Sequence, residues 1–389
     1  MKNSMFKLLV IILFVPLIVL PQDKDKKEKK DQYEFTMVKE VKTTPVKNQA
    51  RTGTCWSFAT TSFIETELMR MGKGEIILSP MWNVRFTYPQ KAENYVRYNG
   101  LTNFGEGGQA HDVMDVVRDH GFIPLEDYKA MNINEKQYDN GELDRMLKSV
   151  VSMVAKERKI TPRWPEVINA ILNTYLGVPP KEFTYDGKKY TPKSFQESLG
   201  FNPDDYVEIT SYTHHPYYKT FDLEVPDNWT KGQYYNVPIE DLMDIINNAL
   251  ENGYSVAWDG DVSEKEFDRK KGYAIVPADE DDNDEAKTDD EKVEGKDLLP
   301  MKEKIITEEM RQETFNNHTT TDDHLMHITG MAKDQTGETF YYTKNSWGTK
   351  DKKYDGYWYM SAPYVELKTI AIMVHKDAIP SQIKSKLGL

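Results

Sequence analysis

A single cysteine, Cys55, stands in 389 residues. That excludes an intrachain disulfide framework and every zinc-ribbon or iron–sulfur pattern, each of which needs several thiols. Basic residues are also scarce: 50 Lys and Arg face 63 Asp and Glu, for a net charge of −13. An acidic chain without a basic stripe is no nucleic-acid binder, because phosphate contacts need clustered cations. No apolar run is long enough to span a bilayer. Leu8 to Leu20 is unbroken, yet as a helix it reaches only about 20 Å against a hydrocarbon core of ~30 Å. Internal repeats are lacking too. What the chain has is bulk: 23 Tyr, 15 Phe and 7 Trp are material for a substantial core in one large or two closely packed domains.

The amino terminus carries Lys2 and Lys7 ahead of the apolar run. A basic start before a short apolar stretch reads as a secretory signal peptide over residues 1–22. Leu20-Pro21-Gln22 lacks the small-residue pair of a cleavage site, so an uncleaved anchor through residues 8–20 is the alternative. Asp23 to Asp31 is almost wholly charged, and residues 23–39 read as a solvated tether. The expectation is an exported protein, periplasmic or extracellular.

In that setting a lone thiol is either an incidental buried group or a used nucleophile. Before Cys55 comes a Gly- and Thr-rich loop. After it Phe58, Ala59, Phe63, Ile64 and Met69 recur at helical spacing. The spacing predicts that Cys55 opens a buried helix, whose positive end stabilises a thiolate and lowers the thiol pKa. Gln49 lies six residues ahead, where an amide can donate to a developing oxyanion. Far downstream, His324 opens an alternating apolar stretch that predicts a strand. A second β-rich stretch, Thr339 to Lys344, runs into Asn345-Ser346-Trp347-Gly348.

The string Gln49-(five residues)-Cys55-Trp56-Ser57-Phe58-Ala59, with Asn345-Ser346-Trp347-Gly348, resembles the papain-like cysteine peptidases. The resemblance implies Cys55 as nucleophile, His324 as base, Asn345 as the group that orients the imidazole, Trp347 as its cover and Gln49 as an oxyanion donor. His324 is preferred to His327 because it holds the family position; alternation along a strand also puts the two on opposite faces. Gly107 and Gly108, in Glu106-Gly107-Gly108-Gln109, match a pair that meets the substrate backbone. A helix-start turn would use the same residues. Gly121-Phe122-Ile123-Pro124, the closing stretch Ile370 to Lys376 and the 269-residue separation of Cys55 and His324 resemble the bleomycin hydrolase and aminopeptidase C branch. That branch leaves room for a homo-oligomer. It also carries a long carboxy-terminal arm that meets the substrate amine. Here only Ser381 to Leu389 follow Pro380, which predicts a short capped helical turn and an enzyme that is not a strict aminopeptidase.

The fold class expected is α+β, the two-lobed papain-like arrangement. Residues 40–204 form a helical lobe and 205–380 a β-rich lobe. The latter includes an acidic loop at 279–294, and a tail follows at 381–389. The cleft between the lobes takes peptide substrates, with no cofactor and no metal. His214-His215 could suggest a metal pair, but no third ligand is evident, and a polar loop stiffened by Pro216 is preferred. Asp259-Gly260-Asp261 reads as a turn. Aminopeptidase and endopeptidase action stay open. Two other functions compete: an inactive binding protein on the same fold, and an acyl transferase of the transglutaminase kind, whose usual Asp orienter is absent.

Overall fold

The computed structural model describes residues 32–131, 136–278 and 300–389. The signal segment 1–22, most of the tether and the acidic loop 279–294 lie outside the described residues. Among the described residues no helix is long and apolar enough to cross a membrane.

Six helices come first: α1 (Cys55–Arg70), α2 (Pro80–Arg97), α3 (Ala110–His120), α4 (Gly141–Ala155), α5 (Trp164–Leu176) and α6 (Pro192–Leu199). A short strand, β1 (Thr36–Glu40), precedes them, and a hairpin of β2 (Phe183–Tyr185) and β3 (Lys188–Tyr190) precedes α6. Pro165 does not break α5. It sits in the first turn, where a missing N–H costs nothing. From Tyr206 onward the chain is mainly sheet: β4 (Tyr206–Thr210), β5 (Thr220–Asp222), β6 (Gln233–Asn236), β7 (Val256–Gly260), β8 (Phe267–Asp268), β9 (Tyr273–Ala274), β10 (His324–Lys333), β11 (Thr339–Lys344), β12 (Tyr357–Ser361) and β13 (Thr369–His375). Among the described residues, helices α7 (Ile239–Glu251), α8 (Glu308–Asn316), α9 (Ala362–Lys368) and α10 (Ser381–Leu387) complete this half.

Ten strands run in the order β5-β6-β4-β13-β7-β10-β11-β12-β9-β8, and β1 joins as the eleventh on β10. β7 pairs with His324–Ile328 of β10 and β1 with Gly330–Lys333, while β11 occupies the opposite edge. The tether expected to reach residue 39 therefore ends sooner. Tyr33, 3% exposed, packs on Tyr273 and Phe340, and that apolar anchorage makes Thr36–Glu40 a strand.

Alternation along β10 divides the core. Leu325 joins the core formed by α1–α6, and Met326 and Ile328 join a second core with α7 and Trp258. The sheet thus carries one apolar layer on each face. Helix α1 lies against it and is buried on every side from Cys55 to Leu68. Its acids are matched accordingly. Glu65 accepts from Lys47 Nζ (2.5 Å), Thr44 Oγ1 (2.5 Å) and the Leu78 N–H (2.6 Å), so the carboxylate is compensated where water is excluded.

The tail is the capped helix expected. α10 ends at Gly388 in the left-handed conformation, which satisfies the last carbonyls. Ile383 and Leu387 are buried in the second core.

Candidate active site

Cys55 opens α1, as its sequence predicts. The loop ahead is pinned by short bonds. Thr52 Oγ1 donates to Gln49 O (2.9 Å), Gln49 Nε2 donates to Thr52 O (2.7 Å), and the Gly53 N–H donates to Glu106 Oε2 (2.7 Å). The backbone N–H of Leu325 lies by the Cys55 sulfur and favours its thiolate. Leu325 follows His324, the first residue of β10. The start of the helix therefore meets the start of the strand, and the thiol lies beside the residue next to the imidazole.

His324 is 4% exposed. Its Nε2 lies 2.9 Å from Asn345 Oδ1, and the same oxygen accepts the Ser346 N–H at 2.7 Å. The second donor fixes the orientation of the amide, so Oδ1 is an acceptor and His324 Nε2 carries a proton. Nδ1 is then the lone-pair nitrogen of the neutral ring. Trp347 lies against the imidazole with centroids 4.7 Å apart. Gln49 is held at both ends of its amide, by Thr52 O and by Ser346 Oγ, which donates to Oε1 at 2.5 Å. A second N–H on Nε2 is left over from these bonds.

The electrostatics reverse one expectation. Burial pushes the Cys55 thiol up to about 12, and Asp322, Asp259 and Asp227 push it the same way, against the Leu325 N–H. The helix end is present, but removing a thiolate from water and facing it with carboxylates costs more than the dipole returns. Burial also lowers His324 to about 4, helped by Arg269 and opposed by the Asn345 bond. Both shifts favour the neutral thiol and the neutral imidazole over the charged pair.

Gly107 and Gly108 lie on the same side of the helix start. Trp56 Nε1 donates to Glu106 O (2.8 Å). A Cβ on Gly108 would stand 3.0 Å from the Trp56 indole, and one on Gly107 would stand 1.9 Å from Asp227 Oδ2. Both positions need glycine for close approach. His327 is elsewhere: its Nδ1 meets Ser62 Oγ at 3.0 Å, on the helical face.

Sequence reasoning missed four residues here. Ser346 links the Asn345 and Gln49 amides, and Asp322 stands two places before His324, where the Asp322-Asp323 pair was a visible signal. Asp259 is no turn residue. It lies inside β7, 3% exposed, opposite Leu325. Asp227 gave no local signal. Away from the cleft, Glu224 supplies the third polar partner that His214-His215 lacked in sequence. His215 Nε2 lies 2.8 Å and His214 Nε2 3.1 Å from its two oxygens.

Residues 87–388 match the sequence profile described as the Peptidase C1-like family. The chain belongs to that family. The matched stretch holds His324 and Asn345, and Gln49 and Cys55 precede it. This C1-like chain is 24% identical over 418 residues to "Cysteine proteinase 1, mitochondrial" of Saccharomyces cerevisiae (strain ATCC 204508 / S288c), covering 94% of this chain and 81% of that one. It is 24% identical over 399 residues to "Aminopeptidase E" of Lactobacillus helveticus, covering 91% and 86%. Among solved structures it resembles PepW from Lactobacillus rhamnosis HN001 with a TM-score of 0.69, 20% identity and coverage of 91% and 84%. The C1-like chain is a cysteine peptidase with the α+β, papain-like fold.

Proposed function

We propose that Cys55, His324, Asn345 and Gln49 carry out peptide-bond hydrolysis, and that the substrate is a peptide with a free amino terminus. The observation that supports the assignment most directly is the His324 Nε2–Asn345 Oδ1 bond at 2.9 Å, which leaves Nδ1 as the basic nitrogen. His324 Nδ1 removes the Cys55 proton as the sulfur attacks the carbonyl carbon. This concerted transfer suits a thiol and imidazole that are both neutral at rest. The free N–H of Gln49 and the Cys55 N–H receive the oxyanion. His324 then protonates the leaving amine, and water attacks the thioester by the reverse sequence. Gly107 and Gly108 line the substrate backbone.

The free-terminus preference draws on relatives that bear the name aminopeptidase. Packing of Ile383 and Leu387 into the second core supports an amine-binding carboxylate elsewhere in the chain. The test is direct. Cys55→Ser, His324→Ala and Asn345→Ala are assayed on fluorogenic aminoacyl amides, with unfolding curves as controls. The first two should abolish turnover, and Asn345→Ala should lower it less. Near-normal turnover in Cys55→Ser would remove the mechanism.

A further inference from the structure

Three carboxylates outside the Cys55–His324–Asn345 group bear on the thiol. Asp322 stands two residues before His324, and Gln109 Nε2 donates to its Oδ2 at 2.6 Å. Gln109 directly follows Gly107-Gly108. Asp227 is held by Asn103 Nδ2 at 2.6 Å and overhangs Gly107. Asp259 comes from the sheet side, opposite Leu325 in β7. The three therefore converge on the glycine side of the sulfur, where the substrate segment ahead of the scissile bond would run.

Asp259 is the unusual member. Both of its oxygens are buried without a hydrogen-bond donor. Its carboxyl lies within hydrogen-bonding reach of Asp322. Two facing carboxyls need a proton or another cation to stay together. Burial and then Asp227 raise Asp322 to about 8 against the Asp259 contact, and burial and then Asp322 raise Asp259. At neutral pH both carboxyls of the free enzyme then favour their protonated forms, and a cation that binds there takes the place of a proton. The neighbouring cation, Lys91, donates to the carbonyls of Gly105 and Gly107. The pair is left with more acceptor capacity than the protein fills.

We infer that Asp322, backed by Asp259 and flanked by Asp227, binds the free α-ammonium of the substrate's first residue. The α-nitrogen is separated from the scissile carbonyl carbon by Cα alone. A carboxylate that is among the thiol's chief charged neighbours is placed for so near a cation. A lysine or arginine side chain carries its charge several bonds farther away. This inference rests on the peptidase assignment above and adds the group that selects the substrate.

Three substrates test it: leucyl-aminomethylcoumarin, its N-acetyl form, and acetyl-lysyl-leucyl-aminomethylcoumarin. Wild-type enzyme should prefer the free amine by roughly tenfold to a hundredfold, the size of a charged hydrogen bond, with the difference carried by KM. Asp322→Asn should collapse the free-to-blocked ratio toward one. An unchanged ratio, or a wild-type preference for the lysyl substrate, overturns the inference while leaving the thiol mechanism standing. Cleavage that persists in Cys55→Ser instead overturns the peptidase assignment. A second measurement needs no carboxylate variant. Leucinamide should protect Cys55 of the wild-type protein from iodoacetamide, and N-acetyl-leucinamide should not. Equal protection by both refutes amine recognition.

Discussion

Replacing Gln49 separates catalysis from support. Truncation to alanine removes one N–H from the oxyanion position, a loss worth 10²–10³ in kcat, or about 2.7–4 kcal/mol. It also deprives Thr52 O and Ser346 Oγ of their partners, 2.7 Å and 2.5 Å away, in residues 8% and 5% exposed. Each unpaired group costs up to about 1–3 kcal/mol if water does not replace the amide. Gln49→Ala should therefore lower both kcat and the unfolding temperature. Gln49→Glu discriminates further. It can still accept from Ser346 Oγ but donates nothing, and its charge opposes the oxyanion. Its kcat should fall at least as far as in Gln49→Ala, with a smaller loss at the Ser346 contact. The assay is kcat on a free-amine fluorogenic amide beside thermal unfolding of both variants. A folded Gln49→Ala enzyme with kcat within threefold of wild type would refute the oxyanion role and leave Gln49 as a loop brace.

Arg269 lowers His324, so Arg269→Gln should raise that pKa from about 4 and move the acidic limb of kcat/KM to higher pH; an unmoved limb contradicts the assignment of the base. Deleting Ser381 to Leu389 removes the buried side chains of Ile383 and Leu387 and should cost roughly 3–6 kcal/mol of stability. Any preference for free amines should survive that deletion, and its loss would show that the tail gates the cleft. Glu303 is raised to about 7, mainly by burial. An acid raised on folding contributes stability that is present below the ordinary glutamate range and lost as pH rises through about 7. Glu303→Gln should flatten the decline of unfolding temperature between pH 5 and 8, and an equal slope in both proteins would show that Glu303 does not set it. Export on the Lys2-to-Leu20 segment predicts mature protein outside the cytoplasm, and full-length precursor in the soluble cytoplasmic fraction would count against it.

The parts legible from sequence were those whose chemistry is written in adjacent residues. Cys55 follows a Gly-Thr loop and begins a helical pattern, and Asn345 follows a strand and precedes Ser346-Trp347-Gly348. His324 was chosen by family position, with strand periodicity separating it from His327. What escaped depends on contacts distant in the chain. Asp259 resembled a turn residue because Gly260 and Asp261 follow it, and a buried, unpartnered acid violates the pattern that polar residues face water. The direction of the thiol shift required knowing that Cys55 is fully covered, and that Asp322, Asp259 and Asp227 come together beside it from three separate segments. β1 escaped because Thr36–Glu40 is mostly exposed; its pairing is secured by the aromatic anchor at Tyr33 rather than by a periodic apolar face.

The seam between β1 and β10 also has a mechanical meaning. Upstream chain enters the domain at Gln32, whose carbonyl is tied to Gln335 Nε2. A pull along β1 loads the Thr36–Lys333 to Glu40–Gly330 pairing as a lap joint, with its bonds sharing the force. The load enters β10 six to nine residues from His324, roughly 20–30 Å along a strand. Tension on the upstream chain would therefore strain the seam before it disturbed the imidazole. Failure of the seam would uncover Phe35, now stacked 3.9 Å from Tyr359, together with Tyr33. Parting of this joint would therefore present an adhesive aromatic surface at a place removed along β10 from His324.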